Sequence, residues 1–141
     1  MSGIRAGDTV RVSVPADTAY VGLLRTVAAG LAGRLDLDLD HVEDLRLAVS
    51  EACSLVLPDA TGTGELTIEL RVTSDGLVTE VSAPTRRTSP PSVDSFAWTV
   101  ISALADDAAV DVTGGVLSIR LRVTGDVDVA RAAEEAEAGR S

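Results

Sequence analysis

The sequence predicts an α+β fold, a two-layer α/β sandwich whose mixed, mostly antiparallel sheet carries its helices on one face. Three observations predict this fold. The hydrophobic pattern gives the order strand, helix, helix, strand, strand, helix, strand, strand. Two pairs of consecutive strands are separated only by short turns, which is typical of hairpins and therefore of antiparallel pairing. With 141 residues, 45% of them hydrophobic, the chain is long enough to bury one core.

The first half of the chain predicts one strand and two helices. Valines alternate with polar residues over 9–15, the period of a half-buried strand, and a proline ends the run. A helix is expected after Asp17, because apolar residues then recur at spacings of three and four. A second helix is expected to begin near Asp38 or Asp40, where a carboxylate lies favourably at the positive end of the helix dipole.

The second half of the chain predicts two hairpins with a third helix between them. The alternation of apolar and polar residues is strict in the first hairpin, and glycines mark both turns. The expected elements are strands over 66–73 and 77–82, a loop over 83–93, a helix over about 93–106, and strands over 109–112 and 116–123. On the third helix we expect Phe96 to face the core and Trp98 to lie partly exposed.

The chain is expected to form one domain with short extensions at either end. Residues 1–8 form an N-terminal extension, and residues 9–123 contain all the predicted helices and strands. Residues 124–141 are rich in Ala and Glu, a composition that predicts a flexible acidic tail or a frayed helix.

The composition excludes several kinds of site. All 12 basic residues are arginines, and the chain contains no Lys, Asn or Gln. A P-loop lysine and a lysine Schiff base are therefore impossible. His41 and Cys53 are the only His and Cys, too few for a structural zinc site, and no metal ligands are predicted. We expect Cys53, which falls on the apolar face of the second helix, to pack rather than react.

The charge and hydropathy patterns indicate where the protein acts. The formal net charge is −10, which argues against direct binding of nucleic acid because phosphates require a basic face. The longest apolar runs are shorter than the ~18 residues that span a membrane. A single cysteine is typical of a reducing compartment. We therefore expect a cytoplasmic protein with protein partners.

Three segments carry a resemblance to a known family. Residues 45–54, Leu-Arg-Leu-Ala-Val-Ser-Glu-Ala-Cys-Ser, resemble the N-box helix of Bergerat-fold, or histidine kinase-like, ATPases. Arg25 lies in a similar Arg-x-Val-Ala-Ala context of the first helix, and residues 95–107 resemble the helix after the ATP lid. The resemblance is to bacterial RsbW-type anti-sigma factors and serine kinases, above all to the actinobacterial anti-sigma factors.

The resemblance implies a degenerate catalytic helix. Active kinases of this family use a Glu to accept the serine proton and, one turn later, an Asn that ligates Mg²⁺, so that both groups share one helix face. Glu51 matches the Glu and is the implied catalytic base, whereas Leu55 stands at the Asn position. A leucine side chain has no lone pair to offer a cation.

The resemblance also implies a degenerate nucleotide pocket. The family's Asp-x-Gly-x-Gly, whose Asp contacts adenine, matches the stretch that begins at Ser82. The Gly-x-Gly that cradles phosphates at the lid helix matches the stretch that begins at Ser95. Gly114 and Gly115 keep the last glycine box, which a hairpin would require in any case. Ser82, Ser95, Gly114 and Gly115 are thus the implied cofactor contacts. No bound cofactor is expected, and Mg-ATP enters only if the protein is a kinase.

Three functions follow as hypotheses from the resemblance. In the first, an anti-sigma factor sequesters an alternative sigma factor and is released by an anti-anti-sigma (STAS-type) partner, with Arg25 and Trp98 as partner contacts. In the second, the chain is an active serine/threonine kinase of that partner. In the third, a regulatory module has lost both roles. The first is favoured because the helix surfaces resemble the family and the nucleotide site does not. A homodimer through strand 9–14 is also expected.

Overall fold

A computed structural model describes residues 3–125, and within that range five strands form a single sheet. The strand order is β1-β2-β3-β5-β4 and every pairing is antiparallel. The predicted α+β sandwich is confirmed. The sheet formed by the described residues is entirely antiparallel, whereas a mixed, mostly antiparallel sheet was expected. The strands are β1 (Thr9–Pro15), β2 (Glu65–Val72), β3 (Gly76–Pro84), β4 (Asp107–Thr113) and β5 (Val116–Thr124).

Three helices pack on the sheet, α1 (Val21–Arg34), α2 (Leu39–Val56) and α3 (Phe96–Leu104). Short 3₁₀ turns precede α1 at Thr18–Tyr20 and follow α2 at Leu57–Asp59. Side-chain caps fix two of the helix starts. The Asp38 carboxylate accepts the backbone N–H of His41 at 2.9 Å and begins α2, as predicted. The Ser95 hydroxyl accepts the N–H of Trp98 at 3.1 Å and begins α3.

The core lies between the helices and one face of the sheet. Alternate residues of β2, β3 and β5 are buried against the helices, and α2 supplies the most buried positions of any helix. The largest fully buried side chains include Leu24, Leu45, Leu66, Ile68, Leu70, Leu77, Ile101, Leu117, Ile119 and Leu121. The opposite face of the sheet carries Ser, Thr, Arg and Glu side chains, because the strands alternate. We call this second surface the open face.

Helix α3 corrects one sequence expectation. Its first residue is Phe96 rather than a residue near 93, since Ser95 occupies the capping position. A side chain in the first turn leans back past the end of the helix, where no element covers it. Phe96 is accordingly 79% exposed instead of facing the core. Trp98 is half-buried against the core, as expected of a partly exposed aromatic.

Antiparallel pairing brings three segments of the chain to one end of the sheet. Strand β1 ends there, β3 ends there at Pro84, and the β4–β5 hairpin turns there. Backbone hydrogen bonds from Thr61 and Arg86 link the end of β3 to the 3₁₀ turn after α2. We refer to this region as the hairpin end.

Two further expectations concern the ends of the chain and the membrane. The expected acidic tail lies, beyond Gly125, outside the described residues. None of the helices within residues 3–125 has the length and hydropathy needed to cross a bilayer.

Candidate functional site

Helix α2 presents a carboxylate and a hydrocarbon side chain on one face. Glu51 and Leu55 are four residues apart in the last turns of α2, and that spacing places them side by side on the helix surface. Glu51 is half-buried, while Leu55 is partly buried and packs against the core. The position beside the carboxylate is therefore apolar, and the pair provides one oxygen-bearing group instead of two.

Arg25 lies in the seam between α1 and α2. Its Nη1 donates to the Ser50 hydroxyl at 3.3 Å, and its Nε is buried without a hydrogen-bond partner among residues 3–125. The guanidinium lines a shallow groove of about 370 Å³ together with Asp44, Arg46 and Leu47. Because Nε is enclosed by the protein, the donors that Arg25 can offer to a partner are the terminal N–H groups of its guanidinium.

Cys53 is buried beneath this seam and is a packing residue. Burial raises the pKa of its thiol to about 12, and the nearby Arg25 charge opposes that shift only in part. A thiol with so high a pKa forms almost no thiolate at neutral pH, so Cys53 is a poor nucleophile.

Strand β3 places Ser82 away from the helices. The alternation of the strand buries Thr79, Val81 and Ala83 toward α2, and Ser82 faces the other way. In register, Ser82 lies between Thr67 and Ser118 on the open face. The structure therefore does not bring Ser82 to the face that carries Glu51. The helix-facing position is Ala83, whose methyl group offers no hydrogen bond to an adenine.

The segment between β3 and α3 is anchored by an ion pair. Arg87 Nη1 donates to Asp59 Oδ2 at 2.9 Å, and the two side chains are only 31% and 37% exposed. The same guanidinium donates from Nε to the Ser89 carbonyl at 3.0 Å and from Nη2 to the Pro90 carbonyl at 3.3 Å. One side chain thus holds both the 3₁₀ turn after α2 and the proline-rich loop. We call this the Asp59–Arg87 clamp.

Backbone contacts reinforce the clamp. The Asp59 carbonyl accepts the N–H of Arg86 at 3.0 Å and the Thr85 hydroxyl at 3.3 Å. The Thr85 hydroxyl in turn accepts the N–H of Arg87 at 3.1 Å. In sequence, Arg86 and Arg87 are two adjacent arginines in the loop after β3. No local pattern distinguishes the two, since the partner of Arg87 lies 28 residues earlier in the chain.

The N-terminus of α3 is capped by the Ser95 side chain. The Ser95 hydroxyl accepts the Trp98 N–H, one of the free amides that a phosphate at a helix N-terminus would use. Side chains at Phe96 and Ala97 replace the open backbone of a glycine loop. Ser95 therefore has a structural role, and Trp98, in the first turn that it caps, is half-buried.

Gly114 and Gly115 form the turn of the β4–β5 hairpin. Their φ angles are +60° and +74°, which is the left-handed backbone that a two-residue hairpin turn requires. Both glycines are exposed, and a Cβ on either would meet no atom within 4 Å. The glycines are thus explained by backbone conformation. The hairpin also supports the clamped loop, since the Gly115 carbonyl accepts the N–H of Thr85 at 2.8 Å.

Taken together, these residues do not fit a magnesium nucleotide. Leu55 provides no metal ligand beside Glu51, and Ala83 provides no hydrogen bond to adenine. The Ser95 hydroxyl already accepts the Trp98 N–H, a backbone donor that a phosphate would need. Among residues 3–125, no three His, Cys, Asp or Glu side chains come together in a way that could hold a metal ion. Of the predicted residues, Gly114 and Gly115 lie at the hairpin end. Arg25 lies on α1, Glu51 on α2 and Ser95 before α3, whereas Ser82 lies on the open face.

Comparison with known proteins gives the family. Residues 14–122 match the histidine kinase-like ATPase domain family. The chain is 36% identical over 126 residues to the anti-sigma-F factor RsbW of Mycobacterium tuberculosis, a match that covers 84% of this chain and 73% of that protein. It is 38% identical over 73 residues to the serine-protein kinase RsbW of Bacillus subtilis, covering 50% of this chain and 46% of the kinase.

A solved structure shows the same fold. The crystal structure of the RsbU and RsbW domains of Rv1364c from Mycobacterium tuberculosis aligns with a TM-score of 0.63 at 16% sequence identity. The alignment covers 86% of this chain and 34% of that larger one.

Proposed function

This chain belongs to the histidine kinase-like ATPase domain family, in its RsbW branch, and from that membership we propose that it is an anti-sigma factor. In this proposal it holds an alternative sigma factor by direct binding in the cytoplasm, without requiring Mg-ATP. A STAS-type anti-anti-sigma partner releases the sigma factor by competing for the anti-sigma factor. The single observation that carries the proposal is the position of Leu55. This apolar side chain packs against the core where a kinase of this family needs a metal ligand.

The helix surfaces support a binding role. Arg25 is half-buried and lines the groove between α1 and α2 together with Arg46 and Leu47, and the carboxylates of Glu43 and Asp44 line it as well. An acidic side chain of a partner could accept the terminal N–H groups of Arg25 that Ser50 does not use, and a charge-assisted hydrogen bond of this kind is worth about 1.5–3 kcal/mol. Trp98 adds a half-buried aromatic on α3, a residue type that is enriched at protein interfaces.

Binding experiments with the full chain test the proposal. The immobilised protein is presented to a panel of purified alternative sigma factors, with and without Mg-ATP, and titration calorimetry measures nucleotide binding alone. We expect at least one sigma factor to bind with an affinity that Mg-ATP leaves unchanged. Arg25→Ala should weaken this binding about tenfold or more, whereas Arg34→Ala, an exposed arginine on the last turn of the same helix, should not. Micromolar affinity for Mg-ATP, or sigma binding that requires it, contradicts the proposal.

The kinase alternative has two observations in its favour. Glu51 keeps the position of the catalytic base on α2 and is half-buried, and several relatives are named serine-protein kinases. Transfer of labelled phosphate from ATP to a serine of an anti-anti-sigma partner would establish this activity, provided that Glu51→Gln abolishes the transfer. The matched control is Glu65→Gln, an exposed glutamate at the start of β2.

We also propose a homodimer through strand β1. This strand lies at the edge of the sheet, so the backbone groups on its outer side have no partner strand within the described residues. Two copies can pair such edges across a two-fold axis. Light scattering should give twice the chain mass of 14.5 kDa at high micromolar concentration. Arg11→Pro should shift this value to the monomer, because the backbone N–H of Arg11 points away from β2 to the outer edge. A wild-type monomer at that concentration contradicts the proposal.

A further inference from the structure

The open face of the sheet carries a group of three arginines that the proposed function does not use. Arg71 on β2 and Arg122 on β5 lie on either side of Val78 in the same register row of the sheet. Arg120 lies two residues before Arg122 and points to the same face. The short side chains of Val78 and Ala109 separate the long arginines and leave a cleft of about 220 Å³ between them.

The charge of this cleft differs from that of the molecule. The whole chain carries a formal charge of −10, yet the cleft is lined by three arginines and a single carboxylate, that of Asp107. Arg71 takes part in none of the ion pairs formed within residues 3–125. Three neighbouring guanidinium groups repel one another, and a bound anion reduces that repulsion.

The remaining two arginines are held loosely enough to bind a further anion. Arg120 contacts Glu80 at 3.4 Å and Arg122 contacts Asp75 at 3.3 Å, with arginine side chains 65% and 50% exposed. Long, exposed pairs of this kind contribute little to stability. Each contact uses one of the five N–H donors of a guanidinium, so most donors stay available.

We propose that Arg71, Arg120 and Arg122 form a binding site for a doubly charged oxyanion, with a phosphate group as the biological ligand. Arg71 and Arg122 stand two strands apart, about 10 Å between backbones, so their long side chains can converge on one tetrahedral anion above Val78. A planar guanidinium matches a phosphate through two parallel N–H donors. This proposal is independent of the proposed function, since the open face lies across the sheet from Glu51 and Arg25.

Titration of the ¹⁵N-labelled full chain with inorganic phosphate tests the site by NMR, with chloride at matched ionic strength as the reference. We expect saturable shifts centred on Val78, Arg120 and Arg122 that chloride does not produce. Arg71→Gln should weaken binding about fivefold or more while leaving the unfolding midpoint unchanged, because Arg71 forms no ion pair within the described residues. Arg34→Gln, an exposed arginine on α1, should leave binding unchanged.

A second titration with glycerol 3-phosphate separates the two sources of a phosphate group. Saturation by both ligands indicates a site for phosphate esters, and saturation by inorganic phosphate alone indicates a site for the free ion. Shifts that grow linearly without saturation, that chloride reproduces, or that Arg71→Gln leaves unchanged contradict the proposal.

Discussion

Removal of the Asp59–Arg87 clamp should increase the local opening of the segment before α3, with only a small loss in the free energy of unfolding of the whole domain. Arg87→Ala deletes a charge-assisted hydrogen bond to Asp59 and two hydrogen bonds to the carbonyls of Ser89 and Pro90. A buried version of this set would be worth about 3 kcal/mol or more. The side chains of the ion pair are about one-third exposed, so water takes over part of the lost bonding. We therefore expect a loss of about 1–1.5 kcal/mol and a fall in Tm of roughly 3–6 °C.

Hydrogen exchange measured by mass spectrometry is the appropriate assay because it localises the effect. Protection should fall in peptides that cover 85–95 and stay constant in those that cover β2. Arg86→Ala is the matched control, since the exposed neighbour makes only a backbone bond to the Asp59 carbonyl. Asp59→Ala should resemble Arg87→Ala, and the double variant should lose less than the sum of the two. Equal effects of Arg86→Ala and Arg87→Ala, or strict additivity of Asp59→Ala with Arg87→Ala, would refute this reasoning.

Three other outcomes are expected. Gly76→Ala should unfold the protein or lower its stability by more than about 3 kcal/mol in urea titrations, because its Cβ would lie 2.0 Å from the Val123 carbonyl oxygen; a loss below 1 kcal/mol would show that the strands separate easily. Leu55→Asn should not restore phosphotransfer or Mg-ATP binding in calorimetry, since Ala83 still offers adenine no hydrogen bond; recovery of micromolar binding would contradict the role assigned to Ala83. His41→Gln should lower Tm most at about pH 5–6.5, because a hydrogen bond to Asp38 raises the pKa of His41 and its stabilising charge is lost as pH rises through that pKa. A Tm difference that increases above pH 8 would contradict this expected pH dependence.

The elements of the sheet and the start of α2 follow from local rules. The strict alternation over 66–72 places four side chains in the core, and the observed β2 buries those four residues. Asp38 begins α2 because a short polar side chain can accept a free amide, which is a property of the residue and its immediate neighbours. Patterns of this kind depend on few residues and survive in any tertiary context.

The site was less predictable because it depends on which face of a strand each side chain points to and on partners that are distant in sequence. A match to the family motif assigned the adenine position to Ser82, but the phase of β3 turns Ser82 to the open face and Ala83 to the helices. A shift of one residue along a strand reverses the face, and motif comparison alone does not fix that phase. The partner of Arg87 is likewise remote, since Asp59 meets it only when the end of α2 reaches the end of β3.

The register of the sheet has a practical consequence for handling the protein. The first strand begins at Thr9 opposite Arg71, and the last strand ends at Thr124 opposite Gly76, so both termini of the sheet lie beside the β2–β3 turn. The hairpin end, with the Asp59–Arg87 clamp and the start of α3, is at the other pole. A tag, a dye or a tethering surface joined near Thr9 or Thr124 therefore leaves the hairpin end unobstructed. Because Thr9 and Thr124 lie at the same end of the sheet, three strands apart, a short linker could join them in a circular permutant with new termini in the exposed Gly114–Gly115 turn.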